Sequence, residues 1–291
     1  NWLGLSFRTY HNLSGEELGL FERLLKAITN FEHIRILGVM QRLAITYGAT
    51  ALIAILVKHK YIPHIVILTL LGYFLLLIFG SGFNFSEDNI ISIVDKAVLG
   101  ANHMYVDSGV ILDPEGLLST IPAICHVLIG FCCGGILMTT KDNNERIRKM
   151  FIFGAILTFT GLLLSYGCPI NKKIWSPTFV LATCGLASTF LALLVWIIDI
   201  KGNKKWCTFF ESFGVNPLFI YVLAGVLATM FGSILLTYDD TVMSINGFVY
   251  GVLLSPYLGD YLGSFIYALL FAGLNWAIGN ILYKKKIYIK I

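Results

Sequence analysis

The chain has 291 residues, 57% hydrophobic and only 13% charged, with a mean hydropathy of +0.78. Soluble domains carry roughly 25% charged residues, so a soluble globular domain is excluded and an integral membrane protein is implied. The net charge of +4 comes from Lys and Arg that flank apolar runs, which points to membrane topology rather than to a nucleic-acid partner.

The chain opens at Asn1-Trp2 with no Met and no signal-peptide pattern, so it is expected to be a fragment of a longer protein. Residues 14–30 read as an amphipathic helix. Ser14 and Glu17 have capping-box spacing. Leu18, Phe21, Leu25 and Ile28 form an apolar face against Glu22, Arg23 and Lys26. Such a helix suits the bilayer interface better than a span. Residues 1–33 are therefore expected to form an outer-side segment, and residues 34–291 a single all-α, polytopic transmembrane domain.

Seven apolar runs follow that approach the ~20 residues a crossing needs: 36–57, 62–80, 117–138, 150–168, 177–198, 212–236 and 261–282. Arg35 and Arg42 are assigned to the first span, which also carries Gln41, and Asn216-Pro217 interrupts the sixth. Thirteen of the 21 Lys and Arg residues fall in 58–61, 139–149, 199–206 and the tail after 283, and six in the alternate connections. The positive-inside bias then puts the C-terminus in the cytoplasm and loops 81–116, 169–176 and 237–260 in a periplasm or lumen.

Cys125, Cys132, Cys133 and Cys184 lie inside apolar runs, as small hydrophobes do. Cys168 and Cys207 sit at segment ends, and no Cys or His has metal-ligand spacing.

The unusual polar residues gather in the outer connections. Asp113-Pro114-Glu115-Gly116 stands where a polar loop gives way to an apolar run. Asp at an N-cap, Pro at the first position and Glu in the first turn make a good helix start. Equally, either carboxylate would orient or deprotonate an attacking amine or hydroxyl. His103, with Asn102 beside it, lies in the polar string Asp95–Tyr105 and is a candidate for proton transfer. His126, inside a span, reads as a helix–helix hydrogen-bonding group. Arg42 either snorkels or binds a phosphate or carboxylate between helices. Asn171, Lys172 and Trp175 offer hydrogen bonds, a cation and a stacking face, or simply mark an interfacial belt. Asn216-Pro217 either breaks a helix that faces a cavity or starts one. No GxSxG, phosphate-binding glycine loop, GxGxxG or HExxH occurs.

Several strings, in order from about residue 34 to the end, together resemble the heparan-alpha-glucosaminide N-acetyltransferase family and its bacterial relatives. They are Ile34–Leu43, Asp95–Gly100 with His103 and Tyr105, Asp113–Gly116, Asn171–Ser176 and the ending Tyr283–Ile291. The resemblance implies a multi-span acyltransferase that takes acetyl-CoA from the cytosol as co-substrate and acetylates the amine of a glucosamine-type sugar across the membrane, with no metal. It implies that Asp113 or Glu115 positions the acceptor amine, that Asn171, Lys172 and Trp175 contact sugar or CoA, and that Arg42 meets a CoA phosphate or an internal ion pair. Asn102 and Asn216 join the substrate-binding candidates. The family's catalytic histidine lies upstream of the matched region, so His103 does not simply inherit that role. The partners expected are an amino-sugar acceptor and the lipid bilayer, with homo-oligomerisation left open. Two other readings stay open: a sugar transporter or permease, and a non-catalytic membrane scaffold.

Overall fold

A computed structural model describes residues 5–6, 9–10, 13 and 19–289. Among the described residues, six helices are long and apolar enough to cross a bilayer, or seven if one bent pair is counted as a span. The chain is an all-α, multi-pass integral membrane protein. It divides into two compact units at Gly202 and Asn203.

In the first unit, α1 (Leu20–Thr29) exposes Phe21, Leu25 and Ile28 and buries Ala27. The proposed cap, Ser14 with Glu17, lies outside the described residues. The first two spans are α2 (Val39–Leu56) and α3 (Ile62–Phe79), joined through a 3-10 turn at His59–Tyr61. Arg35 therefore lies before the first span, not in it. Gly38 has extended backbone and precedes the first helical residue.

The connection from 80 to 116 is built rather than loose. It contains α4 (Ile90–Leu99), a 3-10 turn at Ala101–His103, and a small hairpin of β1 (Val106–Asp107) with β2 (Val110–Ile111). The Asn89 side chain caps α4 by accepting from Ile91 N at 2.9 Å, while its amide donates to the carbonyls of Gly82 and Asn84. One buried asparagine thus satisfies a helix start and the preceding turn together.

Three more spans complete the unit: α5 (Leu117–Thr139), α6 (Asn143–Leu164) and α7 (Pro177–Val195), the last extended by a π-helical turn at Trp196–Ile200. Helix α6 starts seven residues before the apolar run suggests. Asp142 caps it by accepting from Glu145 N at 2.7 Å, so the polar Asn143–Lys149 stretch is already helical. Helices α6 and α7 approach through small residues. A Cβ on Gly154 would stand 2.7 Å from Gly185 O, and one on Gly161 2.7 Å from Ala182 N. Val66 and Leu70 of α3, Cys125 and Leu128 of α5, and Val180 and Cys184 of α7 form the middle of the core. At the end nearest α4, Tyr73, Leu77, Ile91, Leu118 and Ile174 form a second cluster. The Tyr73 hydroxyl donates to Ile174 O at 2.7 Å, tying the 165–176 connection to α3.

In the second unit, α8 (Cys207–Gly214) meets α9 (Pro217–Ser233) at an 83° bend. Strands β3 (Leu235–Tyr238) and β4 (Thr241–Ser244) pair antiparallel. Asp239 and Asp240, at φ 51° and 60°, supply the two left-handed residues of a tight hairpin turn. Ser244 then caps a helical turn at Ile245–Gly247, followed by a π-helical stretch at Phe248–Leu254 and α10 (Ser255–Lys284), kinked at Gly259. The expected loop 237–260 is thus a hairpin and the start of the last helical segment. Its polar residues are turn and cap groups, which a hydropathy scan cannot separate from a loop.

Candidate functional site

One end of the first unit gathers the polar side chains, and Arg35 is its hub. The guanidinium forms ion pairs with both Asp113 and Glu115. Its Nε also donates to Asp113 Oδ2 at 2.9 Å. The Tyr105 ring lies 5.2 Å from Cζ, in cation–π geometry. Burial opposes the Arg35 charge, but the hydrogen bonds to Asp113 and Glu115 outweigh it and hold its pKa above the ordinary value. This pairing joins residues 78 and 80 apart in sequence.

Asp113 is wholly enclosed. Besides Arg35, its oxygens accept from Tyr105 N at 3.1 Å and Glu115 N at 2.9 Å. It organises the turn and presents no free oxygen to a ligand. Glu115 and Arg35 keep side-chain exposures of 18% and 20%, so Glu115 is the acid of this pair that reaches the surface.

The start of α5 differs from the expected one. The N-cap is Gly116, not Asp113, and the capping acceptor comes from α4. Asp95 Oδ1 accepts from Leu118 N at 3.0 Å. Its other oxygen has no partner and lies where a Gly116 side chain would be, 1.7 Å from an ideal Cβ. Only glycine leaves room for this carboxylate. Burial pushes Asp95 up to about 6; the Leu118 and Leu117 amides oppose the rise and the nearby Asp113 adds to it.

Arg42 is handled quite differently from Arg35. It is 5% exposed and donates to two backbone carbonyls, Pro114 O at 2.6 Å and Ser119 O. Among the described residues it makes no ion pair. Its Cζ lies 4.0 Å from the centre of the Trp175 ring. The expected internal ion pair is therefore replaced by carbonyl bonds and a stacked indole.

Trp175 stands at φ 51°, in the left-handed region that a bulky side chain seldom adopts. Asn171 fixes that turn: its Oδ1 accepts from Lys173 N at 2.8 Å and its own N–H donates to Ser176 Oγ at 3.0 Å. Lys173 pairs with Asp107, and Lys172 is exposed. Behind Trp175 lies His126, with ring centres 5.9 Å apart. His126 Nδ1 is buried with no hydrogen-bond partner, so the expected helix–helix bond is not made through that atom.

His103 accompanies the hub. A contact of 2.8 Å joins its Nδ1 to Ile34 O, and its own carbonyl accepts from Ile36 N at 3.2 Å. A carbonyl partner requires the proton on Nδ1, which leaves the Nε2 lone pair as the basic position of the neutral ring. Asn102 next to it is exposed. The structure thus brings together Arg35, Arg42, Asp95, His103, Asp113, Glu115 and Trp175. Asn216 belongs to the second unit. There its side chain clamps the tail, donating to Ile287 O at 2.9 Å and accepting from Ile289 N at 2.7 Å. Of this set, the sequence reading does not single out Arg35 or Asp95. Each appears inside a string of the family resemblance, which is the signal that would have marked them.

No protein-family model matches the chain. Similar curated proteins include heparan-alpha-glucosaminide N-acetyltransferase of Mus musculus, 33% identical over 153 residues, a stretch that takes in 47% of this chain and 23% of the mouse protein. The protein of the same name from Homo sapiens is 31% identical over 144 residues, covering 44% of this chain and 22% of the human protein. The match spans less than a quarter of either relative's length.

Proposed function

We propose that this chain forms part of a membrane N-acetyltransferase that moves an acetyl group from acetyl-CoA to the amine of an amino sugar. The observation that carries the reading is the polar cluster around Arg35, held at one end of an otherwise apolar bundle, in a chain similar to proteins of that name. Ionisable groups buried at the membrane end of a bundle are costly to place and mark a candidate site.

The chemistry asks for a base, an orienting acid and a place for the developing oxyanion. As the acceptor nitrogen attacks the thioester carbon, a C–N bond forms, the C–S bond breaks and CoA leaves as the thiolate. The nitrogen sheds a proton in the same event. His103, with Nδ1–H engaged by Ile34 O, offers Nε2 to take that proton. Glu115, anchored on one side by Arg35, orients the acceptor amine, and Asp113 positions both through Arg35. Exposed Asn102 and Lys172 contact the sugar or the CoA chain. The Lys and Arg bias supports a cytoplasmic tail, with this cluster facing the opposite compartment. The Asn216-Pro217 break would favour a transporter, but its amide is already occupied by the chain's own tail.

The test is transfer of labelled acetyl from acetyl-CoA to glucosamine by the full-length protein that carries this chain. Glu115→Gln is expected to lower turnover by about 10²-fold or more while folded yield stays within about twofold of wild type. Equal losses in turnover and yield would reduce Glu115 to a structural group. No labelled product from wild type over a no-protein control, with several amino sugars, would sink the enzyme reading.

A further inference from the structure

Three buried nitrogens without partners fall on three neighbouring groups: Arg42 Nε, Trp175 Nε1 beneath its guanidinium, and Nδ1 of His126, whose ring is tilted 52° against the indole. Two of them, the Arg42 and Trp175 groups, can only donate. A buried donor left unpaired costs about 1–3 kcal/mol. Keeping two such donors on neighbouring groups, Arg42 over the Trp175 ring, with Trp175 in a left-handed conformation as well, is a cost that a purely structural arrangement would shed. Replacing the indole with a phenyl ring would keep the stacking and remove one of the orphans.

The charge arithmetic points the same way. Arg35 meets two carboxylates in direct contact, whereas Arg42 meets two backbone carbonyls and the Trp175 ring. Among the described residues no carboxylate contacts its guanidinium. The missing partner is therefore an oxygen that accepts two hydrogen bonds and carries, or acquires, negative charge.

We propose that Arg42 Nε–H and Trp175 Nε1–H form the oxyanion pocket for the transferred acyl group, with His126 bounding it further along α5; this rests on the acyltransferase reading above. When the acceptor nitrogen adds to the thioester carbon, the carbonyl electron pair moves onto oxygen and is held by the two donors. Collapse restores the C=O bond and expels the CoA thiolate, and the nitrogen proton passes to the base. The pocket itself neither gains nor loses a proton. Arg42 also bonds the carbonyls of Pro114 and Ser119, so the pocket is braced against the same turn that presents Glu115.

The experiment compares Trp175→Phe, which keeps the ring and removes only the N–H, with wild type in the full-length protein. Acetyl transfer to glucosamine is measured alongside the Kd of acetyl-CoA and of CoA, which lacks the acyl oxygen. Trp175→Phe is expected to lower kcat about 10²–10³-fold, with the Kd of CoA within twofold of wild type. Arg42→Lys, which keeps the charge but loses the Nε–H and the forked bonds to Pro114 and Ser119, is expected to lower kcat at least as far. Normal transfer by Trp175→Phe overturns the pocket and leaves the enzyme reading intact. Equal weakening of CoA and acetyl-CoA by either variant with kcat unchanged would mark a phosphate site, and overturns it too. An inactive wild type overturns both.

Discussion

Two arginines seven residues apart carry the same charge into opposite environments, and the difference decides what each can do. Arg35 is saturated by carboxylates, so it shapes the turn that holds Glu115. Removing the Asp113 charge leaves Arg35 paired with Glu115, but an amide at 113 sets an N–H₂ where an enclosed oxygen accepts from the Arg35, Tyr105 and Glu115 donors. Asp113→Asn is expected to destabilise the protein by about 1–3 kcal/mol, read as a fall in Tm in detergent, whereas Glu115→Gln, at the exposed edge, leaves Tm nearly unchanged. Similar Tm losses for both would contradict the division between an enclosed hub and a surface-reaching acid. Asp95 gives a pH signature. Burial raises its carboxyl from the ordinary 3.8 to about 6, so between about pH 4 and pH 6 the folded protein keeps a proton that the unfolded chain has released. The stability from this group is fully present below about pH 4 and is lost as the pH rises through about 6. Asp95→Asn keeps the acceptor for Leu118 N and cannot ionise. Its Tm is expected to be flatter across this window than wild type; parallel curves would assign the titration elsewhere.

The spans are legible in the sequence because lipid demands long apolar runs, and a run is a local property. The helix starts are less so. The Asp113-Pro114-Glu115-Gly116 string has every local mark of an N-cap, yet α5 begins after it. The acceptor that caps α5 comes from Asp95, 23 residues upstream, and no local pattern reports so distant a partner. The same limit hides the Arg35 pairings. It also makes the 80–116 connection read as a loop, because α4 is only ten residues long and shorter than any spanning pattern. The packing of Gly116 against Asp95 yields a direct test of this cap. Gly116→Ala would place a methyl group on Asp95 Oδ2 and is expected to cost about 1–3 kcal/mol. Gly130→Ala, in the same helix with open space around it, is expected to be neutral or slightly stabilising. Equal effects at the two glycines would mean that the close approach at Gly116 carries no energy.

Across the whole molecule, the functional proposal depends on sidedness. Apolar spans fix how many times the chain crosses, but only charged residues in the connections bias its direction. That bias is read from sequence, since Lys141 lies between α5 and α6 and Arg146, Arg148 and Lys149 in the first turns of α6, at the opposite ends of those spans from Asp95 and Asp113. The polar cluster and the basic connection therefore lie on opposite sides of the first unit's bundle, whichever way it is inserted. An amine acceptor in one compartment and a CoA donor in the other would then be joined only through the bundle, where Arg42, Trp175 and His126 line up. Cysteine labelling decides the direction. Lys172→Cys is expected to react with a membrane-impermeant maleimide on intact cells, and Lys141→Cys only after permeabilisation, each measured against the parent chain's own cysteines. Labelling from the reversed sides would turn the site toward the cytosol. Acceptor and CoA would then meet in one compartment, and no acetyl group would need to cross.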